Sequence, residues 1–223
     1  MNTSILNLET ANGETTAYVA SPGEKSENPK AVILIHEWWG LNENIKNIAA
    51  RYAGEGFTAI APDLYRGKIA ADPDEAAKLM ADLAIEDGLG TIKETINSAR
   101  DTFGLSHFGI SGYCMGGTYA LRAACELEGI SAAAPYYGDV PSEEILKNLR
   151  VPVVFVSGTK DAWINPAKVA ELTGAAEKYN LAVDSLVYEA DHAFANETRP
   201  EVYNKGAAED AWAKVIGFFN DKL

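Results

Sequence analysis

The stretch Phe108–Leu121, FGISGYCMGGTYAL, joins a short apolar run to a run of helix formers. Phe108 to Ser111 has strand character, and Tyr119, Ala120, Leu121, Arg122, Ala123 and Ala124 favour a helix. Between them lie Gly112, Tyr113, Cys114, Met115, Gly116 and Gly117. A strand that turns abruptly into a helix leaves the residue at the turn projecting above the sheet on strained backbone. Glycines two before and two after that residue let neighbouring chain pass without Cβ clashes. The residue at the tip is Cys114. A free cysteine is commonly a small buried hydrophobe, but one framed by small residues between strand and helix reads as a nucleophile.

Outward from this elbow, apolar runs alternate with amphipathic segments. Upstream, Ile5 to Leu8 and Thr15 to Ala20 are expected as short strands around Asn12-Gly13, a favoured hairpin pair. A polar loop over Ser21–Lys30 follows. Ala31 to Ile35 is a continuous apolar run, the mark of a strand buried on both faces, and it ends in His36-Glu37-Trp38-Trp39-Gly40. Ile45, Ile48, Ala49 and Tyr52 share one helical face, with a stop near Gly54 to Gly56. Phe57 to Ala61 is the next buried strand, closed by Pro62-Asp63-Leu64-Tyr65. Arg66 to Phe103 reads as two helices parted near Asp87-Gly88, with Pro73 suited to a first turn.

Downstream of the elbow, strands are expected over Ile130–Tyr137, Val151–Gly158 and Asp184–Tyr188, with a helix over Pro166–Tyr179. Ala208, Ala211, Trp212, Val215, Ile216 and Phe219 mark an amphipathic terminal helix. The pattern implies an α/β fold, a mostly parallel sheet with helices on both faces, and one domain over residues 1–223.

Composition narrows the partners. Apolar residues make up 47% of 223 and charged residues 23%, which is globular. The net charge is −13, with no basic cluster, so no nucleic acid or anionic membrane partner is expected. No apolar run approaches the ~18 residues that span a bilayer, and the first residues lack a basic leader followed by an apolar run. Cys114 and Cys125, roughly 16 Å apart if on one helix, are beyond disulfide reach. Free thiols favour a reducing cytosol, so a soluble, cytoplasmic protein is expected.

In a doubly wound sheet, functional groups collect beyond the carboxyl ends of the strands. There the sequence places Glu37, then Cys114, then Thr159-Lys160-Asp161, then Glu189-Ala190-Asp191-His192. The order nucleophile, acid, histidine is that of an α/β-hydrolase triad. A cysteine attacks as thiolate, and an ordinary thiol pKa of about 8.5 leaves little of that form at neutral pH. His192 serves as base if Asp161 holds its other ring nitrogen. The helix start beside Cys114 also favours the anion. Asp191 competes with Asp161 but adjoins His192 and points elsewhere. His36-Glu37 lacks the second histidine of the helical zinc pattern, because position 40 is Gly40, so no metal is expected. His107, before the elbow strand, is structural or exposed. Trp38, Trp39, Tyr136, Tyr137 and Trp163 are candidate walls of an apolar pocket or ordinary core.

These motifs together resemble the dienelactone hydrolase (carboxymethylenebutenolidase) family of the α/β-hydrolase superfamily, over nearly the whole chain. The resemblance rests on His36–Gly40, Pro62–Tyr65, the elbow Gly112–Gly117, Tyr136-Tyr137-Gly138, Gly158–Asp161 and His192-Ala193-Phe194. It implies a Cys114, Asp161 and His192 triad, with Glu37 matching a glutamate that helps generate the thiolate. It also implies an oxyanion hole from the backbone N–H groups of Trp38 and Met115, and a carboxylic ester hydrolase without metal or organic cofactor. The partner is then a small-molecule ester or lactone, cleaved through a cysteinyl-acyl intermediate by a monomer or small homo-oligomer.

The alternatives are a broad carboxylesterase or thioesterase of the same family, or a non-catalytic binding protein on this scaffold. The family's lactonase grips its substrate carboxylate with two arginines. This chain has Asn196 at one of those places and Asp72-Pro73-Asp74-Glu75 in the region of the other. Arg66, Lys68 or Arg199 is the available substitute, or the substrate is less anionic. Trp39, Tyr136, Tyr137, Asn196 and Arg66 are therefore the expected substrate-binding residues.

Overall fold

A computed structural model describes residues 1–24 and 29–223. The elements run β1 (Asn2–Thr10), β2 (Gly13–Ser21), β3 (Lys30–Ile35), α1 (Glu43–Gly54), β4 (Phe57–Pro62), α2 (Pro73–Asp82), α3 (Ile85–Phe103), β5 (His107–Tyr113) and α4 (Met115–Glu126). They continue β6 (Ile130–Tyr136), α5 (Glu143–Leu146), β7 (Val153–Gly158), α6 (Pro166–Tyr179), β8 (Val183–Tyr188) and α7 (Lys205–Lys222).

All eight strands form one sheet in the order β1-β2-β4-β3-β5-β6-β7-β8. The β1/β2 and β2/β4 pairs are antiparallel and the others parallel. The continuous apolar run of β3 is explained by burial on both faces. Ala31, Ile33 and Ile35 join a core formed with α3, α4 and α6, while Val32 and Leu34 join one formed with α1 and α7.

Several boundaries differ from the sequence reading. The polar loop expected over Ser21–Lys30 lies partly outside the described residues, and its ends belong to β2 and β3. The hairpin loop is Ala11–Asn12, with Gly13 at φ 109° opening β2. The break between α2 and α3 falls at Leu83-Ala84 rather than Asp87-Gly88. Gly88 sits within the first turns of α3, where a Cβ would lie 2.1 Å from the Tyr119 ring. Here glycine marks a close approach of α4 and not a helix end. Tyr137 leaves β6 at φ 38°, and the four-residue α5 was not foreseen. No helix among the described residues is long and apolar enough to cross a membrane.

Candidate active site

Cys114 stands between the last residue of β5 and the first of α4, with φ 55° and ψ −117°. A non-glycine residue held there costs on the order of 1–3 kcal/mol and persists only where its surroundings enforce it. Two contacts do so. The Cys114 N–H donates to the Tyr136 carbonyl at 3.1 Å, tying the turn to the end of β6. A Cβ on Gly116 would lie 2.3 Å from the Ile35 carbonyl oxygen, so only glycine lets α4 start against the end of β3. That approach brings Glu37 and Trp38 to the thiol.

The end of β3 is fixed by His36. Its Nδ1 lies 2.6 Å from the Glu37 carbonyl, while its Nε2 accepts from the Leu64 N–H at 3.2 Å. Burial holds this imidazole below its ordinary pKa. It clamps two loops and is spent on structure. The Glu37 side chain, 3% exposed, accepts from Asn196 Nδ2 at 2.6 Å. The Asn196 oxygen accepts in turn from the Thr198 N–H at 3.0 Å and hydroxyl at 2.7 Å. The amide therefore has one orientation, with its donors toward Glu37.

Asp161, after β7, sits 2.6 Å from His192 Nδ1 through Oδ2. Its Oδ1 accepts from the backbone N–H groups of Trp163 and Ile164 at 2.8 and 2.9 Å. Burial alone would raise this carboxyl's pKa, but the bonds from His192, Ile164 and Trp163 outweigh it and hold it below the ordinary value. His192 Nε2 is buried and has no hydrogen-bond partner among the described residues. Asp191, the competing acid, is exposed.

The electrostatics around sulfur run against the expectation from the helix start. Burial first, and the nearby Glu37 charge second, push the Cys114 thiol up to about 12, against a smaller lowering from the Met115 backbone N–H. Burial likewise pushes Glu37 up to about 7, with Asn196, His192 and Arg199 pulling it down. At neutral pH the resting site holds a thiol, not a thiolate. The helix-end field is too weak to offset desolvation here.

A cavity of about 530 Å³ opens over the elbow, lined by Cys114, His192, Trp38, Met115, Tyr137 and Trp163, with Met80, Thr118, Asp139, Ala162, Ile164 and Lys168. The structure thus brings together Cys114, Asp161, His192, Glu37, Trp38, Met115 and Tyr137. Four expected pocket residues are placed elsewhere. Tyr136 is 1% exposed and stacks on Tyr113 at 4.5 Å, in the core shared with α1 and α7. Trp39 packs edge-on behind Trp38 at 5.1 Å. Asn196 is spent on Glu37 and Thr198. Arg66 donates to Thr10 Oγ1 at 2.9 Å and lines a separate cavity beside β1 and β2.

Thr118, Asp139 and Lys168 were missed by sequence reasoning. Asp139 follows β6 and was open to the strand-end search. Lys168, in the first turn of α6, carries no sequence signal of its own, and neither does Met80 on α2.

A model described as the dienelactone hydrolase family matches residues 15–223. The chain is 37% identical over 218 residues to "Protein usf" of Aquifex pyrophilus, covering 92% of this chain and 93% of that one. It is 35% identical, with the same coverage, to "Putative carboxymethylenebutenolidase" of Aquifex aeolicus (strain VF5). A crystal structure from Klebsiella pneumoniae, "Putative Dienelactone Hydrolase", superposes with a TM-score of 0.91 at 27% identity over 98% of each chain. With its mostly parallel sheet and elbow, the chain belongs to the dienelactone hydrolase family of the α/β-hydrolase superfamily and is a hydrolase of the ester and lactone type.

Proposed function

We propose that the chain cleaves small esters or lactones through a cysteinyl-acyl intermediate on Cys114, with His192 as base and Asp161 as the group that orients it. The observation that carries this reading is the histidine. Its Nδ1 is taken by Asp161 at 2.6 Å, and its Nε2 is buried without a partner in a cavity it shares with the thiol. An unpartnered buried nitrogen costs about 1–3 kcal/mol, which a proton-transfer role explains.

On substrate binding, the Cys114 proton passes to His192, directly or by way of Glu37, and the thiolate attacks the carbonyl carbon. The oxyanion is received by the Met115 and Trp38 backbone N–H groups, preorganised at the helix start and strand end. Collapse breaks the carbon–oxygen bond, and the alkoxide leaves with a proton from His192. Water, deprotonated by His192, then attacks the thioester, and the carboxylic acid leaves as the thiol reforms.

The test is mass spectrometry of the protein quenched during turnover of an activated ester, together with Cys114→Ala. An acyl adduct on Cys114 that forms and decays, with turnover lost in the variant, is expected. Turnover retained in Cys114→Ala overturns the assignment.

A further inference from the structure

The cavity over Cys114 has one polar end. Its body is walled by Trp38, Trp163, Tyr137, Met80 and Met115, which suits a flat apolar group. Its only lysine or arginine among the described residues is Lys168. That ammonium is already engaged: Nζ lies 3.2 Å from Asp139 Oδ1 and 3.6 Å from Glu171 Oε2. Asp139 is held in place, its Oδ1 accepting from the Val140 N–H at 2.9 Å and its own N–H donating to Thr118 Oγ1 at 2.8 Å.

The other cations considered for this role are not part of its lining. Arg199 is paired with Glu201 at 2.8 Å, Arg66 lies in the separate cavity, and Lys68 is exposed and outside the lining. Behind the lining, Asp161 sits 2.6 Å from His192 Nδ1, and it and Glu37 both act on the Cys114 thiol through their charge. A carboxylate entering this cavity therefore meets a surplus of negative charge and no uncommitted donor fork among the described residues.

We infer that Asp139 is a specificity-determining residue: by pairing with Lys168 it cancels the one ammonium on the cavity wall, so that the chain acts on uncharged esters and lactones with an apolar body and turns away those bearing a carboxylate. This rests on the reading of Cys114 as nucleophile. The pair itself is partly exposed, and such pairs add little to stability. Its consequence is the local field felt by a ligand, which salt screens.

The test uses a matched pair of substrates, para-nitrophenyl hexanoate and mono-para-nitrophenyl adipate, which differ by a terminal carboxylate. In wild type, kcat/KM for the hexanoate is expected to exceed that for the adipate by about tenfold or more at low salt, and the gap to narrow as salt rises. Asp139→Asn keeps an oxygen for Val140 and releases Lys168, so the adipate-to-hexanoate ratio should rise about tenfold. Lys168→Gln leaves Asp139 uncompensated and should lower that ratio, which gives a second reading in a variant with no backbone bond to lose.

Cys114-dependent turnover that favours the adipate, or a ratio unmoved by both variants, overturns this inference and leaves the hydrolase reading standing. Turnover of either ester that survives Cys114→Ala, or absence of turnover of both, overturns the two together.

Discussion

Replacing Glu37 by glutamine isolates the cost of keeping a carboxyl beside the thiol. Burial pushes this group up to about 7 from an ordinary 4.5. The unfolded chain releases the proton near the ordinary value, and the folded chain keeps it to about 7. Between those two values the native state binds more protons than the unfolded state, so stability falls as pH rises through the window. The penalty is absent below about 4.5 and complete above about 7. A displacement from 4.5 to about 7 corresponds to about 3 kcal/mol. In Glu37→Gln the amide keeps an oxygen for Asn196 Nδ2 and has no proton to lose. Urea unfolding at about pH 5 and about pH 8 should therefore show wild type losing roughly 2–3 kcal/mol more than Glu37→Gln across the interval. The double difference cancels the titrating groups that do not interact with Glu37. Against a total stability of about 5–15 kcal/mol the effect is measurable. The same variant should lose kcat/KM, a case of stability traded for activity. Parallel pH dependences, within about 0.5 kcal/mol, would refute the placement of an ionising carboxyl in this buried position.

Two further substitutions probe the other supports of the site. In Asp161→Asn, the N–H groups of Trp163 and Ile164 claim the amide oxygen, so the NH₂ faces His192 and forces the wrong tautomer. Steady-state kinetics should show kcat falling ~10²–10⁴-fold with KM little changed, and a fall below about tenfold counts against an orienting role. In Gly116→Ala, the new Cβ meets two backbone oxygens, Ile35 at 2.3 Å and His36 at 2.6 Å, neither of which can rotate away. A loss of at least about 2 kcal/mol is expected, read as a Tm drop of about 4–8 °C; an unchanged Tm would mean that α4 does not close on β3.

The parts of the fold that the sequence discloses are those set by local pattern. β3 is legible because burial on both faces demands an unbroken apolar run, and the elbow because steric crowding demands glycine at fixed offsets from Cys114. The strand-end residues Glu37, Asp161 and His192 are legible because topology collects them. What stayed hidden depends on packing between distant segments. Gly88 looks like a breaker until Tyr119 is laid against it. Tyr136 and Tyr137 are neighbours of the same type, yet the positive φ at Tyr137 turns one ring into the cavity while the other stacks in the core. Asn196 carries no sign that its partner is Glu37, 159 positions away. The thiol's protonation is equally non-local. The helix start alone favours thiolate, and only the depth of burial and the nearness of Glu37 reverse the sign.

That reversal is the most informative feature of the site. A thiol pushed up to about 12 is almost wholly protonated at neutral pH, and a protonated sulfur neither attacks a carbonyl nor oxidises readily. The carboxyl that contributes to this state is itself able to take a proton, and burial, by pushing it up to about 7, puts it at the balance point. Once the sulfur ionises, its charge and that of Glu37 repel, so the ion pair of Cys114 and His192 that the proposed mechanism needs is favoured only while Glu37 carries the proton or substrate carbonyl draws the thiolate forward. Asn196, fixed by Thr198, holds Glu37 in reach without adding a full positive charge that would pin it as a carboxylate. Under the proposed assignment of Cys114, the arrangement keeps the nucleophile silent between turnovers, and the same burial that costs stability supplies that control.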